Sequence, residues 1–169
     1  MLSAFVESQN FWSFHYENKW KSEIVITDYN DDKIVFCKPQ TFMNASGQAV
    51  KGLKQFYKIE SENLLVLHDE LEFPFAKIWT KRWWSAAWHN GVRSIIQYLW
   101  DDQFPRIRIG IWKSDKMDMA DYVLQNFSVA EEKKIVEELQ DRVCSLIDDF
   151  LQGTLQFPPV TPSWKKNKR

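Results

Sequence analysis

Three short clusters in this chain of 169 residues carry side chains able to move protons or hold a polar substrate. The first runs Pro39-Gln40-Thr41-Phe42-Met43-Asn44 and closes with Ser46-Gly47. The second is His68-Asp69-Glu70-Leu71, and the third is His89-Asn90-Gly91. An imidazole changes charge close to neutral pH, which suits it to acid–base work, and an asparagine amide offers a donor and an acceptor without adding charge. Each cluster taken alone also has a structural reading. Asn44 fits turn chemistry ahead of a helix, Asp69 a solvated carboxylate at a strand end, and His89-Asn90 a helix cap. His68 and Asp69 are adjacent, so alternation along a strand sends them to opposite faces and makes them a poor pair.

The elements that must position these clusters follow from periodicity. Glu23–Asp28 and Lys33–Lys38 are β-branched runs separated by Tyr-Asn-Asp-Asp, which predicts a hairpin. After Ser46, the apolar residues Val50, Leu53 and Phe56 recur at helical spacing and predict a helix ending near Tyr57. Leu64–Leu67 predicts a buried strand that stops at His68-Asp69-Glu70, with a further short strand around Ile78. Val92, Ile95, Ile96 and Leu99 mark one face of a second helix. Arg106–Ile111 alternates, predicting a half-buried strand with Ile107, Ile109 and Ile111 on one side and Arg106 and Arg108 on the other. Ser128 and Glu131 form a capping box ahead of Ile135, Leu139, Val143, Leu146, Ile147 and Phe150, so a long amphipathic helix is expected there. Strands and helices mix without repeats. The expected fold is therefore α/β: a single domain with a central mixed, twisted sheet and helices on both faces. Polar clusters at strand ends are where such folds place ligands.

Length and composition set further bounds. With 44% hydrophobic residues the chain is long enough for one core and too short for two. The domain is read as residues 1–157, followed by a Pro-rich and then basic tail, 158–169. A formal net charge of −1 excludes a polyanion binder that uses its whole surface, while leaving a local basic face open. Cys37 and Cys144 form neither a zinc pattern nor a disulfide framework and are expected as buried thiols of a reducing compartment. No apolar run approaches the roughly 20 residues that span a bilayer, and the N-terminus lacks a signal-peptide layout, so a cytoplasmic location is expected.

Taken together, in order and spacing, the stretches KPQTFMNASGQAV, LLVLHDELEFP, HNGVRSIIQYL, FPRIRIGI and DYVLQNFS resemble the bacterial peptidyl-tRNA hydrolase family. The resemblance runs from about Glu23 to about Phe150. It implies an enzyme that hydrolyses the ester joining a peptide to the terminal ribose of tRNA, recycling tRNA from aborted translation, without metal or other cofactor and as a monomer. It implies that Asp69 orients and stabilises the catalytic histidine, and that Asn44 and Asn90 hold the peptide backbone and the attacking water. His89 would line the same groove, Phe42 and Met43 would give apolar contact beside the ester, and Arg108 would lie near tRNA phosphate. Lys77, Lys81, Arg82 and Arg93 extend a possible basic surface. The alternative from another class is a non-catalytic RNA-binding relative of the family.

Two departures stand beside the resemblance. The family opens with a strand, a Gly-Asn-Pro-Gly loop and a Thr-Arg-His-Asn stretch that supplies the general base; none has a counterpart here, and Met1 matches a position just after them. Of the histidines present, His15, His68 and His89, none falls at the place of that base. Loss of a central strand leaves an unpaired edge and exposed apolar surface, so poor solubility is expected. The second departure is tryptophan at family glycine positions: Trp83, Trp84 and Trp88 in the loop before His89, Trp100 at a helix end, and Trp112 after Gly110-Ile111. The chain has 5 Gly and 9 Trp. Average usage is about 7% Gly, and the two residue types together come to about 8% here. UGA codons decoded as glycine would explain the pattern. Tryptophans that stack on nucleic-acid bases are the competing explanation, but stacking accounts for neither Trp100 nor Trp112.

Overall fold

A computed structural model describes residues 1–82, 85–112, 123 and 125–158, with the backbone alone at Trp112. Trp83, Trp84, the Trp112 side chain, part of the DYVLQNFS stretch and the tail beyond Pro158 lie outside the described residues.

The predicted hairpin forms as β2 (Ser22–Tyr29) and β3 (Asp32–Pro39), in register from Ser22↔Pro39 to Tyr29↔Asp32. Its two-residue turn holds Asn30 and Asp31 at φ 51° and 69°. Both are left-handed, the geometry whose twist matches paired strands and which Asn and Asp tolerate. A short strand β1 (His15–Glu17) adds to β2. Ahead of it, α1 (Leu2–Ser8) buries Phe5 and Val6.

The strand that carries Asp69 is longer than its apolar run. β4 (Val66–Pro74) does not stop at His68; it continues because β6 (Arg106–Trp112) runs parallel beside it from Val66↔Arg106 to Glu70↔Gly110, slipping register before Pro74↔Trp112. β5 (Ile78–Lys81) pairs antiparallel with the other edge of β6. A middle strand is covered on both faces, so the expectation of a half-buried β6 is corrected: Arg106 and Arg108 are 2% and 5% exposed, beside Ile107 at 0%. Arg106 is anchored by the carbonyls of Ser85 and Asp102, and Arg108 by Glu70.

Helices cover both faces, as an α/β domain requires. Val66 packs with Val92, Ile95 and Phe104 beneath α2 (Ser46–Tyr57) and α3 (Asn90–Leu99). Its neighbour Leu67 points the other way, into a cluster of Phe5, Val25, Phe36, Ile107, Val143 and Ile147. The single central sheet expected from the sequence is instead two three-stranded sheets, β1-β2-β3 and β4-β6-β5, joined through that cluster. The outer edges of β3 and β4 have no ladder partner among the described residues.

The C-terminal helix starts on the predicted capping box, with Ser128 Oγ accepting from the Glu131 N–H and the Glu131 carboxylate accepting from the Ser128 N–H. It runs as α4 (Val129–Lys134), a π-helical turn (Ile135–Leu139) and α5 (Gln140–Leu151). The π turn re-phases the apolar stripe, so that Leu139, Val143 and Ile147 are buried while Val136 is exposed. Cys37 and Cys144 are free and only half-buried, against the expectation of buried thiols. Among the described residues no helix is long and apolar enough to cross a membrane.

Candidate active site

Asp69 and His89 are 20 residues apart in sequence and meet across the gap between β4 and α3: His89 Nε2 lies 3.0 Å from Asp69 Oδ1. The meeting is fixed from the helix side. His89 is the N-cap of α3, and its Nδ1 accepts the Val92 N–H at 3.1 Å. A nitrogen that accepts a hydrogen bond carries no proton, so the proton sits on Nε2 and is donated to Asp69. Burial alone would raise the Asp69 pKa; the hydrogen bond from His89, with the Asp69 backbone N–H, outweighs it and holds the carboxyl below its ordinary value. The Asp69 side chain is still 39% exposed, against 15% for His89. A carboxylate has about four acceptor sites, so Asp69 can hold a second donor from the open side.

His68 is drawn in as well. Its ring stands edge-on to His89 at 4.9 Å between centroids, and its Nδ1 lies 2.7 Å from the Asp69 carbonyl oxygen. The His68 ring and the Asp69 carboxylate do not pair with each other; each meets His89 instead. Burial pushes the His68 pKa down to about 4. His68 is therefore neutral, with its proton on Nδ1 and a bare lone pair on Nε2. That Nε2 is buried and has no hydrogen-bond partner.

The rim comes from the loop before α2 and the start of α3. Helix α2 lies so close to α3 that a Cβ on Gly47 would meet the carbonyl of Ser94, while the Gly47 N–H donates to Ser94 Oγ at 3.0 Å. The absent Cβ is what permits this approach. It sets the 3₁₀ turn Met43–Ala45 against the α3 N-terminus, where a Cβ on Gly91 would fall 2.6 Å from Met43 Sδ. Phe42 and Met43 stay 88% and 56% exposed. Asn44 and Asn90 are exposed, and Asn90 Oδ1 accepts from Arg93 at 3.4 Å.

Arg108 does not join this rim. Its Nε and Nη2 donate to Glu70 Oε2 at 2.9 and 2.5 Å, both side chains being 7% exposed, and its guanidinium stacks on Phe73. The guanidinium is thus buried and paired inside the sheet. Exposed cations are Lys77 and Arg93, whereas Lys81 and Arg82 are half-buried. Among the described residues no group of three or more His, Cys, Asp or Glu is placed to hold a metal ion. Sequence reasoning missed Glu70 as the partner of Arg108 and set His68 aside. The available signal was that both lie on a strand beside Arg106-Ile107-Arg108, where buried arginines need an acid.

A profile of the family described as peptidyl-tRNA hydrolase matches residues 1–162. The chain is 45% identical over 130 residues to the peptidyl-tRNA hydrolase of Chloroflexus aggregans, covering 76% of this chain and 69% of the relative. It is 39% identical over 139 residues to that of Mesoplasma florum, covering 82% and 74%. A crystal structure of peptidyl-tRNA hydrolase from Acinetobacter baumannii superposes with a TM-score of 0.78 at 27% identity, covering 88% of this chain and 77% of that one. A peptidyl-tRNA hydrolase crystallised with n-propanol gives a TM-score of 0.81 at 24% identity, with 94% and 84% covered.

Proposed function

The chain belongs to the peptidyl-tRNA hydrolase family, and on that premise we propose that Asp69 is the anchor at which it hydrolyses the ester between peptide and tRNA. The observation that carries this is a carboxylate fixed on one oxygen by His89 at 3.0 Å yet 39% exposed. Ester hydrolysis needs a base that takes a proton from water as it attacks the carbonyl. A carboxylate held ionised orients such a base and stabilises its protonated form. Asn44 and Asn90 present exposed amides that bind the peptide backbone and the attacking water. Phe42 and Met43 give the peptide an apolar surface, since exposed apolar groups beside polar ones mark contact sites.

Neither imidazole at the site is itself the base. His89 has both nitrogens engaged, and His68 is buried with its proton tied to a carbonyl. The open side of Asp69 is thus left to orient the proton-accepting base, which in the family is carried by the Thr-Arg-His-Asn stretch that has no counterpart among these 169 residues. Arg93, exposed and one turn beyond Asn90, takes the phosphate-facing role in place of Arg108. The protein acts as a cytoplasmic monomer on peptidyl-tRNA. The engaged nitrogens of His89 also favour one second reading, a relative that binds RNA without cleaving it. Incubation with N-acetylphenylalanyl-tRNA separates the two. Release of N-acetylphenylalanine and free tRNA supports the hydrolase; retention of intact substrate, with binding, supports the other.

A further inference from the structure

The two helices that carry the rim are joined by a hydrogen bond that neither makes alone. Helix α2 begins without a cap of its own, because its N-cap residue is Ala45, which has no side-chain oxygen. The first N–H groups of any helix lack partners within it, and a Ser, Thr, Asp or Asn at the N-cap usually answers one of them. Here the Gly47 N–H is answered from outside, by Ser94 Oγ of α3 at 3.0 Å. Both residues are buried, Ser94 at 2% exposure. The backbones leave no room for water to replace the hydroxyl, since even a Cβ on Gly47 would strike the Ser94 carbonyl. A buried backbone N–H is nearly always paired, so Ser94 supplies what Ala45 cannot.

This bond links the segments that bear the two amides of the rim. Asn44 sits in the turn Met43–Ala45, and Ser46 Oγ donates to the Met43 carbonyl at 2.9 Å, tying that turn to the start of α2. Asn90 opens α3 four residues before Ser94, and residues four apart lie on one helix face. Ser94 therefore holds the turn of Asn44 at a set distance from the start of α3. A second bond between the helices, from Gln48 Nε2 to Tyr98 OH at 2.8 Å, joins two side chains at the surface and fixes no backbone group.

We propose that Ser94 is a positioning residue, whose hold on the Gly47 N–H sets the spacing of Asn44 and Asn90 at which the peptide end of the substrate is captured. This rests on the peptide-binding role given above to the two amides, and not on cleavage. Ser94 is too buried to touch the substrate and acts through the turn.

The test uses N-acetylphenylalanine joined by an amide bond to 3′-amino-3′-deoxyadenosine, which offers the peptide end and terminal nucleoside without an ester to cleave or a phosphate. Its affinity is measured by NMR titration, beside stability in urea, for the full chain and for Ser94→Ala, Tyr98→Phe, Asn44→Ala and the double variant Ser94→Ala with Asn44→Ala. Ser94→Ala is expected to weaken binding about tenfold, the worth of about one hydrogen bond. Ser94→Cys, which keeps the shape but accepts weakly, is expected to fall between Ser94→Ala and the wild type. Tyr98→Phe also removes a bond between the helices, yet it is expected to bind as the wild type does. The double variant is expected to bind no more weakly than Asn44→Ala, because residues acting as one unit are not additive. Wild-type affinity in Ser94→Ala, equal weakening in Tyr98→Phe, additive losses in the double variant, or no binding by the wild type at millimolar concentration overturns the proposal. Cleavage of N-acetylphenylalanyl-tRNA is scored separately, so binding without cleavage removes the hydrolase reading and leaves the role of Ser94 standing.

Discussion

Acidification isolates one residue of the site. Burial lowers the His68 pKa from 6.5 to about 4, against opposing pulls from the Asp69 carbonyl and the Glu70 and Asp69 carboxylates. Above pH 6.5 the imidazole is neutral in both the folded and the unfolded chain and adds no pH dependence. As pH falls, the unfolded chain takes up this proton and the folded one does not, so stability drops by about 1.4 kcal/mol per pH unit. The loss stops only when the folded group titrates near 4, and totals about 3 kcal/mol, a large share of the roughly 5–15 kcal/mol that holds a domain together. Urea unfolding of the wild type and of His68→Gln at neutral pH and near pH 4 measures it. The wild type is expected to lose about 3 kcal/mol more than the variant over that interval. Equal losses in the two proteins, or a His68 ring that titrates by NMR near 6.5, refute the neutral, buried assignment.

Other perturbations follow from the same geometry. Glu70→Ala leaves Arg108 buried at 5% exposure without its acid and is expected to cost about 3–5 kcal/mol, while the double variant Glu70→Leu with Arg108→Met recovers most of it in the same urea titration. Equal destabilisation in single and double variants contradicts the pairing. Trp100 caps α3 at φ 54°, ψ 33° and is 92% exposed, so Trp100→Gly is expected to raise stability by about 1 kcal/mol in thermal melts. We propose that glycine is the native residue there: a UGA codon at this position agrees, and UGG overturns it. Gly47→Ala drives a Cβ into the Ser94 backbone and is expected to cost about 1–3 kcal/mol and to loosen the Asn44 turn, read as slower peptide release without loss of tRNA binding.

Local signals predicted local structure well. The Tyr29–Asp32 turn, the capping box at Ser128 and the apolar spacing of α3 are encoded within a few residues, and the structure follows each. Partnership across the sheet is not encoded that way. β4 runs on to Pro74 because β6 lies beside it, and Arg106 and Arg108 are buried because β6 is central; alternation along one strand reports neither fact. The division into two sheets is equally non-local, since it depends on which edges meet. At the site, residue types marked Asn44, Asp69, His89 and Asn90, but only the fold shows that His89 spends one nitrogen on the helix cap and the other on Asp69. It also shows Arg108 serving Glu70 instead of facing solvent.

The central claim, that Asp69 anchors the base for ester hydrolysis, is tested most directly by steady-state cleavage of N-acetylphenylalanyl-tRNA by the wild type and Asp69→Asn. The amide keeps the size of the side chain but cannot hold a base in its working form. A fall in kcat of about 10²–10⁴-fold with KM nearly unchanged is predicted, the usual worth of positioned acid–base catalysis. Wild-type kcat in Asp69→Asn, or no release of N-acetylphenylalanine by the wild type itself, would contradict it.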